Sequence, residues 1–234
     1  MTDPVSQPSL KGNRFFVSWS GGKDSCLAVH RAVALGGTPA FLFTMLTEGA
    51  ARSRSHGLAR EVILAQSAAL RVPVVFRAAS WQDYQSAFID GLVEIRGRGV
   101  SLGVFGDIDL DHHLAWVQRV CTLAGASPCE PLWKCARAGL LDEFISAGFK
   151  ATIVSVKDSL LSSDFLGRTL DRDLVREFTA LGIDPSGEKG EYHTVVTDGP
   201  LFSAPVPLRP KEKVLRDGYW FLDLELVEPT PPRL

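Results

Sequence analysis

Cysteine is scarce in this chain: there are four in 234 residues (Cys26, Cys121, Cys129 and Cys135), with no Cys-x-x-Cys pair among them. That argues against a disulfide frame and reads as reduced thiols in a cytoplasmic protein. No apolar run approaches the roughly 20 residues that span a bilayer, so no membrane partner is expected. The opening MTDPVSQPSLKGN is polar and proline-bearing, without the apolar stretch of a secretory signal. A basic excess is missing too. The formal net charge is -2, which argues against a nucleic-acid partner held through its backbone. What remains, 45% hydrophobic and 22% charged residues, is the composition of a globular protein with a sizeable core.

Strand-like and helix-like segments alternate through the first half. RFFVSW (14–19), PAFLFTML (39–46), VPVVFRAA (72–79) and VSLGVFGDI (100–108) read as strands. Helical patterns over 24–37, 56–71, the middle of 81–99 and 111–125 separate and follow them. This order predicts an α/β fold, a doubly wound parallel sheet of Rossmann-like type. A loop is expected over 128–133. Then come a helix, a strand at 150–157, another helix, and a strongly alternating end over 212–229 that suggests an antiparallel hairpin. We therefore expect a tail at 1–12, a nucleotide-binding domain at 13–126, a smaller α+β subdomain at 127–228 and a tail at 229–234. The alternating end leaves two readings open: a sheet edge shared between two copies of a homodimer, or a core hairpin.

The stretch FFVSWSGGKDSCLAV (15–29) carries the chemistry of the first half. Ser18 and Trp19 end a strand, and Ser20-Gly21-Gly22-Lys23-Asp24-Ser25 opens a helix. Glycines let backbone amides approach an anion, and the helix N-terminus offers unpaired N–H groups. Ser20 and Ser25 add hydroxyls, and Lys23 adds a charge. Asp24 would repel a bare phosphate, but it suits a divalent cation bridging phosphates, or a helix cap. The spacing matches neither Gly-x-x-x-x-Gly-Lys-Ser/Thr nor the dinucleotide fingerprint. A plain strand-to-helix turn would account for any two of these residues but accounts poorly for six in a row.

The string resembles the pyrophosphate-binding loop of the ATP pyrophosphatase superfamily, whose members split ATP between its α and β phosphates and activate a substrate as an adenylate. Further motifs narrow the resemblance. SRSHG (53–57) places His56 before the second helix. FGDIDLDHHLAW (105–116) places Gly106 and Asp107 at the end of a parallel strand, where open α/β sheets hold ligands. It fails as a calcium loop, because His112 stands where glycine is needed and Gln118 where glutamate is needed. Asp111 reads as a helix cap. His112 and His113 should diverge on a helix, which makes a shared metal improbable. CEPLWK (129–134) offers Glu130 and Trp133, and is weak on its own. GEKGEYHTVVTDGP (187–200) is stronger, because a loop this rich in glycine, acids and histidine suits a ligand better than a bare hairpin.

Taken together, these motifs resemble the diphthine–ammonia ligase family from Arg14 to about Pro207, and its short single-module members most of all. The resemblance implies an ATP-dependent ligase that adenylates a carboxylate, releases pyrophosphate, and transfers ammonia or an amine to form an amide. It implies ATP and Mg2+ as cofactors. The acceptor would be a carboxylate-bearing small molecule or a modified protein side chain. With no glutaminase domain expected, the nitrogen would come from free ammonia or another amine. Ser18, Ser20, Gly21, Gly22, Lys23, Asp24 and Ser25 would hold the nucleotide, with His56, Gly106 and Asp107 near it and Asp24 on the metal. Glu130, Trp133, Glu188, Lys189, Gly190, Glu191, Tyr192, His193 and Thr194 would form the acceptor side. Lys23, Asp24, Glu191 and His193 are the catalytic candidates, with Glu191 or His193 helping to deprotonate the amine. Two departures stand out: Lys189 where the family usually has Asn, and Ser186 where Cys is common. Two alternatives compete with this reading. A tRNA-modifying ATP pyrophosphatase would want a cysteine pair or a more basic surface. A nucleotide-binding sensor would have no need of the second loop.

Overall fold

The computed structural model of the protein describes residues 7–54 and 56–227. The expected tail at 229–234, part of the tail at 1–12, and Ser55 of the SRSHG turn lie outside the described residues. The chain divides into two compact units. The first gathers residues 1–20, 24–50 and 72–136; the second gathers 21–23, 51–71 and 137–234.

The first unit holds a five-stranded parallel sheet of β1 (Arg14–Ser18), β2 (Thr38–Leu46), β3 (Val74–Ala78), β4 (Leu102–Val104) and β5 (Ser127–Cys129). The order is β3-β2-β1-β4-β5. The chain winds outward from β1 to β3 and then returns to lay β4 on the other side of β1. That reversal is the switch point at which doubly wound sheets open a crevice beyond the strand C-termini. Both faces of β1 are apolar, with Phe15, Phe16 and Val17 fully buried, as a central parallel strand requires. Phe16, Phe43, Phe88, Leu92, Ile95, Val117 and Val120 form the core beneath α3 (Tyr84–Gly97) and α4 (Asp111–Ala124). Phe43 and Phe88 meet edge to face at 5.0 Å, and Phe88 meets Trp116 at 4.9 Å.

The second unit holds an antiparallel sheet, ordered β7-β6-β9-β8, from β6 (Lys150–Lys157), β7 (Tyr192–Asp198), β8 (Leu208–Arg216) and β9 (Tyr219–Leu226). The α2 helix (Arg60–Leu70) belongs to this unit, as do α5 (Arg137–Ser146) and α6 (Arg172–Ala180). Asp171 caps α6 by accepting the Leu174 N–H at 2.8 Å. Asp217 and Gly218, both at positive φ, make the two-residue turn of the expected C-terminal hairpin. The α/β class with a doubly wound parallel sheet, and the α+β part with its antiparallel sheet toward the C-terminus, stand as the sequence indicated.

Several local expectations need correction. The second helix starts at Arg60 rather than at residue 56, because Gly57 sits at φ +65 and the Ser53 hydroxyl accepts the Leu58 N–H. β4 is three residues long and gives way to a loop at Phe105. β5 lies partly where a loop was expected; Pro128 falls in an edge strand, the one place a sheet tolerates it. Asp111 is the first helical residue of α4 rather than its cap, and its carboxylate pairs with Lys134 at 2.8 Å. The four cysteines are free thiols. Among the described residues, no helix is long and apolar enough to cross a membrane.

Candidate active site

The turn after β1 divides between the two units. Ser20, Asp24 and Ser25 cluster with the first, and Gly21, Gly22 and Lys23 with the second.

In the first unit the Ser20 and Ser25 hydroxyls lie 3.1 Å apart, and Asp24 opens the first turn of α1 (Lys23–Ala34). Gly106, just beyond β4, passes so close to that turn that a Cβ would stand 3.0 Å from the Asp24 carbonyl carbon. The loop after β4 therefore needs glycine there. Asp107 follows, with its carboxylate 3.1 Å from His113 Nδ1. His112 and His113 do not diverge as expected: their rings lie 4.5 Å apart, edge to face. Among the described residues, however, no cluster of three or more His, Cys, Asp or Glu side chains could hold a metal ion. Glu130 is buried, and Trp133 carries the Lys134 ammonium 4.7 Å over its ring.

The second unit draws together residues far apart in sequence. The Lys23 backbone N–H donates to Thr194 Oγ1 at 3.0 Å. His56 Nδ1 donates to the Thr194 carbonyl at 2.7 Å, which fixes the ring with its proton on that nitrogen. Gly21 takes φ +80, and its carbonyl accepts both the Val196 N–H and Gln66 Nε2, each at 2.9 Å. The glycine-lysine turn is thus stitched to β7. The Lys23 ammonium, with its side chain 8% exposed, lies 3.9 Å from Glu188 and 5.7 Å from the Tyr192 ring centre. Tyr192 in turn donates to the Pro185 carbonyl. The rings of His56 and His193 lie 4.7 Å apart. Loss of water, then the positive charges of His56 and Lys23, hold the His193 imidazole well below its ordinary pKa. It stands neutral at physiological pH.

Glu191 is buried and accepts the Lys189 backbone N–H at 2.9 Å. The Lys189 side chain is exposed, whereas Ser186 is buried. Gly190 sits at φ +77, where a Cβ would be 3.1 Å from the Tyr219 hydroxyl. Two residues that sequence reasoning missed hold the site's backbone. Gln66 is fully buried and bridges the Gly21 and Val196 carbonyls. Gln7 brackets the Glu130 backbone, accepting its N–H at 2.7 Å and donating to its carbonyl at 3.4 Å. Nothing about a lone glutamine in a helix or near a terminus marks it as such in the sequence.

The comparisons with known proteins match both units. Residues 13–128 match the family model described as diphthamide synthase N-terminal domain, and residues 137–227 match the diphthamide synthase C-terminal domain. The chain belongs to the diphthine–ammonia ligase family. Among curated members, diphthine–ammonia ligase of Homo sapiens is 33% identical over 124 residues, covering 51% of this chain and 45% of that protein. The Danio rerio ligase is 33% identical over 126 residues, covering 52% and 48%. The Bos taurus ligase is 30% identical over 146 residues, covering 57% and 54%. The chain spans about half the length of the curated relatives it matches. Among solved structures, a protein of Methanocaldococcus jannaschii described as a predicted subunit of tRNA methyltransferase aligns with a TM-score of 0.43 at 17% identity, over 80% of this chain and 98% of that one.

Proposed function

We propose that this member of the family is an ATP-dependent amide ligase, with diphthine or a related carboxylate as acceptor and ammonia as nitrogen donor. One observation carries the reading beyond family membership. Lys23 of the glycine-rich turn is hydrogen-bonded to Thr194, on the strand that also carries His193 and directly follows Glu191. Two motifs that look unrelated in the sequence form one constellation in the second unit.

The donor set suits a polyphosphate: one buried ammonium (Lys23), two neighbouring hydroxyls (Ser20 and Ser25) and the first turn of a helix. Asp24 is the one carboxylate in that turn and the residue that would hold Mg2+, a hard cation that keeps oxygen ligands. When bound, Mg2+ would offset phosphate charge. In the first step an acceptor carboxylate oxygen attacks the α phosphorus. The bond to the β-phosphate oxygen breaks, and pyrophosphate leaves with the electron pair. Lys23 stabilises the leaving charge. In the second step ammonia adds to the acyl carbon, the carbon–oxygen bond to AMP breaks, and an amide forms. Adenylation is needed because an oxide is a poor leaving group. The protein's share is positioning and charge neutralisation.

Product analysis with MgATP, ammonium chloride and a diphthine-bearing protein tests the reading. AMP and pyrophosphate should form, and Lys23→Ala should abolish both. ADP and phosphate instead would overturn it.

A further inference from the structure

Glu130 follows β5 at the C-terminal edge of the parallel sheet, in the first unit. It is 4% exposed, and neither carboxylate oxygen has a hydrogen-bond partner of normal length. A buried carboxylate in that condition costs several kcal/mol unless it is protonated or paired with a cation. The groups facing it do not neutralise it. Asp107, from the loop after β4, adds like charge, against which only its backbone amide acts. Cys121 of α4 and Cys129 of β5 are thiols whose own pKa values are pushed up, first by burial and then by Glu130. Meanwhile Gln7 holds the Glu130 backbone fast from both sides.

Glu130 lines an open groove of about 850 Å³, together with Gln7, Gln118, Thr122, Trp133 and Lys134, with its carboxylate oxygens buried beneath the surface. The rim of that groove already shows what it takes. The Lys134 ammonium lies 4.7 Å over the Trp133 indole and donates to the Asp111 carboxylate at 2.8 Å and the Asp109 carbonyl at 3.2 Å. An indole face, a carboxylate and a carbonyl are the partners of an ammonium group. Among the described residues no side chain hydrogen-bonds the Glu130 carboxylate, and the nearby Asp107 carboxylate has the His113 imidazole 3.1 Å away.

We propose that Glu130, with Asp107 beside it, receives the nitrogen co-substrate as an ammonium ion and takes its proton. The inference deepens the amide-ligase reading and rests on it. In the transfer one N–H bond breaks, an O–H bond forms on Glu130, and nitrogen keeps the electron pair with which it attacks the acyl carbon. An ordinary carboxylate is far too weak a base for ammonium. One pushed up to about 8 by burial and by Asp107 is much better matched. The second proton, released as the adduct collapses to the amide, passes to water. A divalent cation is the poorer fit, since it needs around six oxygen ligands and two carboxylates supply few of them. Ammonium has four N–H donors and no strict geometry.

The test uses Glu130→Gln, close to isosteric, and ammonium chloride as the probe. The variant should bind ATP normally by calorimetry, which certifies its fold, while its KM for ammonium rises at least about tenfold. Independently of turnover, infrared spectra of the wild-type protein at pH 7 should show a buried protonated carboxyl. Ammonium chloride should diminish that band, sodium chloride should not, and Glu130→Gln should lack it. An unchanged KM, or a band indifferent to ammonium, overturns the proposal; a band removed by magnesium chloride alone reassigns the site to a divalent cation and overturns it too. If the wild-type protein forms no AMP at all, the amide-ligase reading fails, and the infrared response to ammonium still decides the cation site.

Discussion

The backbone N–H of Lys23 donates to the Thr194 hydroxyl at 3.0 Å, across 171 residues of sequence. The first N–H groups of a helix have no acceptor within it, and Thr194 supplies one from another element. Thr194→Val keeps the shape and the carbonyl that holds His56 but leaves that N–H orphaned in a buried place. Urea denaturation should show a loss of about 1–2 kcal/mol. ATP affinity should fall about tenfold with it, since the turn loses its tether. Thr194→Ser should restore both. A valine variant that binds ATP normally would detach this hydrogen bond from nucleotide binding.

Gly22 is required by its neighbour rather than by its backbone angle. A Cβ there would stand 2.3 Å from His56 Cε1 and 3.1 Å from the Thr194 carbonyl oxygen. The His56 ring cannot swing aside without breaking its 2.7 Å bond to that same carbonyl. Gly22→Ala should therefore cost about 1–3 kcal/mol through overpacking. Pairing it with His56→Ala should recover part of the loss in a double-mutant cycle. Strictly additive effects would show that the alanine is accommodated some other way.

Much of this architecture could be read in advance, for reasons that differ by element. The parallel sheet announced itself because β1 and β2 are buried on both faces and alternate with helices. The C-terminal hairpin did so because Asp217-Gly218 is chemically fitted to its turn. The start of α2 was misread because the periodic pattern runs back through His56, while Gly57 at positive φ and the Ser53 side chain hold residues 53–58 in a turn. Three-residue strands such as β4 and β5 carry too little periodicity to mark their ends. In the site, Lys23, His56 and His193 stood out by residue type, but their meeting at Thr194 is a product of tertiary structure. Glu130 looked like weak evidence, because burial without a partner cannot be seen in a string of letters.

Lys189 departs from the family's usual Asn, and its structural place explains why the fold tolerates it. The part of Lys189 that matters locally is its backbone N–H, which holds the Glu191 carboxylate at 2.9 Å, and any residue but proline supplies that. The side chain is exposed. Lys189→Asn should leave stability within about 0.5 kcal/mol. Lys189→Pro should remove the bond to Glu191 and lower turnover sharply, while ATP affinity is kept. Equal activity in the proline variant would show that Glu191 does not need to be held.

Glu130 and His193 give opposite pH slopes, and their balance is measurable. Glu130 is raised from 4.5 to about 8, so the folded state holds a proton that the unfolded chain has lost. Its contribution is present below pH 4.5 and drains away as pH rises toward 8, at about 1.4 kcal/mol per unit. His193 is lowered from 6.5, so here the unfolded chain binds the extra proton, and stability falls as pH drops below 6.5. About a unit below 6.5 the two slopes cancel; well above 6.5 only Glu130 acts. Wild-type stability should therefore be nearly flat on the acid side of 6.5 and decline between 6.5 and 8. Glu130→Gln should remove the decline above 6.5 and uncover a fall on the acid side. The thiols of Cys121 and Cys129 act only above their ordinary value of 9.0, and the lowered carboxyls of Glu177 and Glu225 only below 4.5, so neither pair enters this window. Denaturation curves at half-unit steps from pH 5 to 8.5 would show it. A Glu130→Gln protein that still loses stability between 6.5 and 8 would mean the wild-type carboxyl is already ionised there, compensated by a cation the fold retains.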